Sequence, residues 1–164
     1  MKILNCILLL FLVSLSFACS NEDENPKLVE KEVTIEIEME GGYSGYLVTL
    51  SVHSLLSGNS TFVTPVLDQP NDLDWTQVVE QGNTYTLTFE PESPSIVTTA
   101  SAPIHSLGFV FNAVPLDRES DETFELLTAN IRVLADGEVY KEYDYEALPS
   151  DQVSVPISES ITLE

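Results

Sequence analysis

From Glu32 the chain alternates in hydropathy, with Val33, Ile35, Ile37 and Met39 on one side and Thr34, Glu36, Glu38 and Glu40 on the other. A period of two is the mark of a strand with one buried face. Gly41-Gly42-Tyr43-Ser44-Gly45 reads as a turn, and Tyr46, Val48, Leu50 and Val52 then alternate with Leu47, Thr49, Ser51 and His53. The spacing predicts an antiparallel hairpin from these two segments, with Tyr46 facing inward. Beyond Ser57-Gly58-Asn59-Ser60, the β-branched run 61–67 predicts one strand, and 75–79 a short one. Tyr85, Leu87 and Phe89 alternate with Thr84, Thr86 and Thr88 until Pro91 and Pro94 stop the pattern.

Residues 96–99 and 107–114 predict two further strands, the second apolar enough on both faces to lie centrally in its sheet. The polar stretch 117–125 leaves room for at most one short helix. Ala129, Ile131, Val133 and Ala135 lead into Asp136-Gly137, and Val139, Tyr143 and Tyr145 lead out, the pattern of a hairpin closed by a two-residue turn. Val153, Val155 and Ile157 begin a closing strand that Ile161 and Leu163 extend past a bend at 158–160. Eight to ten short strands without a long helix predict an all-β antiparallel sandwich over residues 32–164. The glycine turn before Tyr46-Leu47-Val48-Thr49-Leu50 and the later Gly82-to-Phe89 strand resemble immunoglobulin-like or prealbumin-like accessory domains.

Composition changes the picture first through charge. The 164 residues hold 27 Asp and Glu against 6 Lys and Arg, a formal charge of -21. A phosphate backbone is bound by clustered cations, and here they are scattered singly, so nucleic acid is excluded as a partner. With 43% hydrophobic residues the chain still has material for a packed core.

The first residues give an address. Lys2 is followed by an apolar run from Ile7 to Val13 and then by Ser14-Leu15-Ser16-Phe17-Ala18-Cys19. A membrane-spanning helix needs about 20 apolar residues, and this run stops short, as a secretion signal over 1–18 does. Ser16-Phe17-Ala18-Cys19 resembles the lipobox of bacterial lipoproteins, with Ser and Phe departing from its commonest pattern. The resemblance implies that Cys19 is acylated and becomes the mature N-terminus. The alternative is cleavage near Ala18, leaving a soluble periplasmic protein with a free thiol, which an oxidising compartment disfavours. Cys6 leaves with the signal, so no disulfide is expected. Residues 19–31 read as an acidic tether. Ser20-Asn21-Glu22-Asp23-Glu24-Asn25 resembles the export tract of Gram-negative surface lipoproteins, which implies the outer face of the outer membrane, with the periplasmic face as the alternative.

Catalytic apparatus is sparse. Gly42-Tyr43-Ser44-Gly45 lacks the spacing of a nucleophile elbow, and His53 and His105 read as a solvated strand-end residue and a loop residue. Two unclustered histidines do not make a zinc site, so neither a cofactor nor an enzyme is expected. Oxygen donors for calcium are richest at Asp68, Asn71, Asp72 and Asp74, and again at Asp117, Asp121 and Glu122, without the spacing of an EF-hand; solvated loops of an acidic protein are their ordinary reading. Trp75 beside Asp72 and Asp74 could stack on a sugar ring, as could Tyr43, although a core anchor is the ordinary role of a lone tryptophan. These readings converge on a lipid-anchored, non-catalytic binding or adhesion module whose end loops grip an extracellular glycan or protein. The alternative is an accessory subunit of a periplasmic or outer-membrane assembly, docking by a sheet edge or a flat face.

Overall fold

The computed structural model describes residues 28–58, 60–78, 83–116, 125–147 and 154–164. The signal, Cys19, most of the acidic tether and the expected short helix, with Asp117, Asp121 and Glu122, lie outside the described residues. Eleven strands form two antiparallel sheets: β1 (Val33–Gly41), β2 (Tyr46–Ser57), β3 (Thr61–Phe62), β4 (Pro65–Gln69), β5 (Thr76–Val78), β6 (Thr84–Phe89), β7 (Ser95–Ala100), β8 (Ser106–Pro115), β9 (Leu127–Ala135), β10 (Glu138–Glu146) and β11 (Ile157–Thr162). One sheet runs β10-β9-β1-β7-β4 and the other β11-β8-β2-β6-β5, with β3 attached to β2. The protein is an all-β antiparallel sandwich, with β8 inside its sheet as its two-sided apolarity predicts.

Alternation identified the strands better than their partners. β1 and β2 do not form a hairpin, because β1 pairs with β7 and β9 in one sheet while β2 pairs with β6 and β8 in the other. Both strands bury one face, a pattern that a hairpin and a crossover between facing sheets satisfy equally. The crossover is made by Gly41, at φ +76°, and a single 3-10 turn at Tyr43–Gly45. Residues 61–67 are likewise two strands: β3 continues the second sheet and β4 enters the first, with a break at Val63 and Thr64. The closing strand begins at Ile157, after Val155 (Val153 lies outside the described residues), and it pairs with β8 straight through 158–160 without the expected bend. The β9–β10 hairpin is as expected, with Asp136 at φ +54° and Gly137 at φ +80° in its turn.

The inward faces meet in one core, in which Ile37, Tyr46, Leu50, Ile96, Phe109, Phe111 and Ile131 are completely enclosed. Aromatic rings join the sheets on the β8–β10 side. Phe111 meets Tyr145 edge to face at 5.0 Å between centroids, and Phe109 meets Tyr143 at 5.6 Å, the arrangement the ring quadrupole favours.

The registers give the sandwich two distinct ends. Val33 pairs with Ala135, and Pro65 with Ala100, at the end where the chain enters. Gly41 pairs with Leu127, Glu38 with Ser95, and Tyr46 with Pro115 toward the opposite end. The entry end therefore carries residues 28–32, the Asp136-Gly137 turn and the C-terminal residues. The far end carries the crossover at 41–45, the β4–β5 connection and the β6–β7 connection.

Candidate binding groove at the far end

At the far end the β4–β5 and β6–β7 connections both pass from one sheet to the other beside the edge strands β4 and β5. β4 finishes at a cis Gln69–Pro70 peptide, and β6 finishes at Phe89, two residues before Pro91, which has no N–H to continue a ladder. Between the two connections lies a groove of about 480 Å³, lined by Pro70, Asn71, Asp72 and Leu73 on one side and Phe89, Glu90, Glu92 and Ser93 on the other. Pro70, Leu73 and Phe89 supply apolar surface and the remaining side chains supply hydrogen-bond acceptors. An apolar floor with a few polar groups at its rim suits a small hydroxylated ligand or a short extended segment.

Only one of the expected ligand-binding residues lines this groove. Asp72 is exposed at its rim. Asp74 is exposed two residues further on, and Trp75 is half-buried against the core, with an enclosed indole N–H that meets no acceptor among the described residues. Trp75 thus takes the core-anchor role that its size favours. Tyr43, in the crossover turn, is also half-buried against the core, and neither ring is among the groove's lining residues. Glu90 and Glu92 were not singled out from the sequence, where Pro91 and Pro94 registered only as strand breakers. Two acidic residues interleaved with prolines at a strand end are the signal that could have found them.

Of the calcium donors, Asp68, Asn71, Asp72 and Asp74 are described, and they form no metal-holding cluster with other acidic side chains among the described residues. Asp68 lies on the side of the first sheet, where its carboxylate accepts a hydrogen bond from the Thr99 hydroxyl at 2.8 Å. Among the described residues no three His, Cys, Asp or Glu side chains lie close enough together to hold a metal ion.

Neither histidine belongs to the groove. His53 lies across Gly108 on the outer face of the second sheet, with Nδ1 3.1 Å from the Ser54 hydroxyl. The two are chain neighbours at an irregularity in which Ser54 takes φ +56°, between His53 and Leu56. Their contact is made on the sheet face, away from the far-end groove. His105 lies in the short connection before β8, as expected of a loop residue, but it is buried at 8% exposure: its Nε2 lies 3.1 Å from the Gly58 carbonyl oxygen, and its own backbone carbonyl accepts from Leu163. It is a structural residue of the entry end.

A second depression, about 530 Å³, lies on the outer face of the first sheet between Glu38 and Glu40 on β1 and Asp144 and Glu146 on β10. Asn130 sits in the row between, donating to Glu142 at 3.0 Å and to Asp144 at 3.2 Å. Arg132 neutralises Glu36 across the next row at 2.8 Å.

No protein-family model matches the chain, and no curated protein is similar to it. The sandwich is similar to three solved structures. One is a calcium-bound protein from Parabacteroides distasonis, with TM-score 0.59 and 11% identity, covering 86% of this chain and 99% of the other. A DUF4425 domain from Bacteroides vulgatus gives TM-score 0.55 and 11% identity over 82% of this chain and 97% of the other. A DUF4425 family protein from Bacteroides ovatus gives 0.52 and 8%, over 82% and 95%. At these identities the likeness is one of fold, and it extends over nearly the whole of each neighbour.

Proposed function

We propose that this protein is a non-catalytic binding module, anchored by acylated Cys19 to the outer membrane and facing outward, which takes a hydroxyl-rich ligand of glycan type in the far-end groove. The observation that carries this reading is the polarity of the sandwich: residues 28–32 enter at one end, and the groove between the β4–β5 and β6–β7 connections opens at the other. A chain tethered through its N-terminal segment would present that groove away from the membrane. The carboxylates of Asp72, Glu90 and Glu92 can accept from sugar hydroxyls, and Phe89 offers the groove an apolar ring. The calcium of the Parabacteroides neighbour is not carried over, because the acidic side chains described in this chain do not converge as a calcium cage requires.

Protease treatment of intact cells, with lysed cells as the control, tests the address. Peptides from 32–164 are expected to be lost from intact cells, and survival until lysis would refute surface exposure. A glycan array probed with the full chain in mild detergent tests the ligand class. Binding is expected to be abolished by Asp72→Ala combined with Glu90→Ala, and signal unchanged by that pair would remove the groove from the reading.

A further inference from the structure

The two outer faces of the sandwich differ sharply in charge. On the first sheet, Glu36, Glu38 and Glu40 of β1 and Glu142, Asp144 and Glu146 of β10 flank β9 on either side, with Arg132 the only cation in those rows. On the second sheet, every outward position of β11, β8, β2, β6 and β5 is Ser, Thr, Asn, Gly, Val, Leu or His. Its central hydroxyls are tied to one another, Ser51 to Thr86 at 3.0 Å and Thr49 to Thr88 at 3.3 Å. At the far corner Leu47 and Val114 pair side by side, 36% and 49% exposed.

We infer that this uncharged face is where two copies of the chain meet, face to face about a twofold axis running along the strands. Charge selects the occupant. A chain of formal charge -21 repels its own copy over most orientations, and a second copy meets least repulsion where the outward strand positions of a sheet carry no carboxylate. A cationic partner would choose the other face. A glycan platform would want several outward aromatic rings, and this face carries one, Phe62 of β3 at its entry edge. Five strands spaced about 4.8 Å apart, each presenting about six residues, make on the order of 500 Å² of flat area. A standard interface buries roughly 800 Å² of accessible surface per partner, so the corrugated face supports a modest association, weak when dilute. The twofold axis also keeps both entry ends on one side, so two copies tethered to one membrane can pair.

Sedimentation of the full chain in mild detergent tests this. A concentration-dependent dimer is expected, tightening as salt is raised from about 20 to about 300 mM, because the residual force between copies is repulsive and screened. Thr88→Glu, at an exposed position on that face, is expected to weaken the dimer about tenfold or more through paired like charges. Val114→Asp provides an independent check, circular dichroism establishes that each variant is folded, and Glu38→Lys on the opposite face should leave the dimer intact or slightly tighter. A monomer at all concentrations and salts overturns the inference. So does a dimer insensitive to Thr88→Glu and Val114→Asp, and so does a monomer whose retention on an insoluble neutral polysaccharide is lost in those two variants.

Discussion

Two tyrosines show how single side chains close gaps that the strands leave. β11 stops pairing with β8 at Phe111, so the Ala113 N–H lies past its end. Tyr145 reaches across from the opposite sheet: the Ala113 N–H donates to its hydroxyl at 3.0 Å, and the hydroxyl has Asn112 Oδ1 and the Ala113 carbonyl as acceptors at 3.3 Å. Tyr46 does the reverse job, accepting the N–H of Leu127 at the start of β9 at 3.4 Å. Tyr145→Phe leaves a buried N–H without a partner and is expected to cost about 1–3 kcal/mol in thermal or denaturant unfolding. Tyr140→Phe, which loses only an exposed bond to the Thr162 carbonyl, should cost less than about 0.5 kcal/mol. Equal losses would refute the account. At the entry end Glu30 accepts from the Gly58 N–H and the Ser57 hydroxyl, and these bonds, helped by His105, hold its carboxyl below the ordinary 4.5. A depressed carboxyl pKa stabilises the fold above the unfolded value, and the contribution is lost as pH falls through the folded one. The stability gap between the natural chain and Glu30→Gln should therefore be fullest above the ordinary carboxylate value of 4.5 and shrink as pH falls below it in acid unfolding curves. A gap that does not change as the solution is acidified would show that the carboxylate charge is not what matters. Neither role was legible beforehand, since inward alternation marks Tyr46 as buried without saying which backbone group its hydroxyl meets.

At the scale of elements, alternation is a statement about faces and says nothing about neighbours. β1, β2, β6, β9 and β10 were legible because each turns one alternating row inward, β8 because it is apolar on both faces, and the β9–β10 hairpin because Asp-Gly suits the left-handed turn positions. The β1–β2 hairpin was misread for the same reason, since facing strands in two sheets show the same burial pattern. Of the far-end groove only the Asn71-Asp72 side was visible, because the other wall is built by whichever connection the topology brings alongside. Gly41 is the hinge of the crossover. A Cβ there would lie 2.1 Å from the Leu126 carbonyl oxygen, at φ +76°, whereas at Gly137, φ +80°, it would meet nothing. Gly137→Ala should cost about 1–2 kcal/mol from the left-handed backbone alone. Gly41→Ala must also displace a backbone carbonyl and should cost clearly more, as denaturant midpoints would show. Gly108 makes the parallel case on the sheet face, where an added Cβ would fall 2.2 Å from His53 Cε1. Gly108→Ala should be destabilising, and His53→Ala should recover most of the loss, because the obstruction is one side chain rather than the backbone. Without that recovery, flexibility of the glycine and not the close approach would be the cause.

For the whole molecule, charge is distributed rather than merely abundant. The net value of -21 was plain from composition, but its concentration on one sheet was not, because Glu142, Asp144 and Glu146 join the row of Glu36, Glu38 and Glu40 only through β9. Successive rows read Glu146-Thr128-Glu40 and Asp144-Asn130-Glu38, each with carboxylates on both sides of a neutral residue, and only the third row has a cation, Arg132. Such a face stores repulsion that compact folding must overcome. A cation at the exposed Thr128 would stand between Glu40 and Glu146, opposite charges directly across both ladders, each pair contributing about 0.2–1 kcal/mol. Thr128→Lys is therefore expected to raise the unfolding midpoint at low ionic strength, and the gain should shrink as salt approaches about 0.5 M, where the Debye length falls to roughly 4 Å. The natural chain should move the other way, stabilised by the same salt as its own repulsion is screened. If Thr128→Lys brought no gain at low salt, the two carboxylates would be too well solvated to interact, and the charge of this face would govern what approaches the protein rather than how firmly it folds.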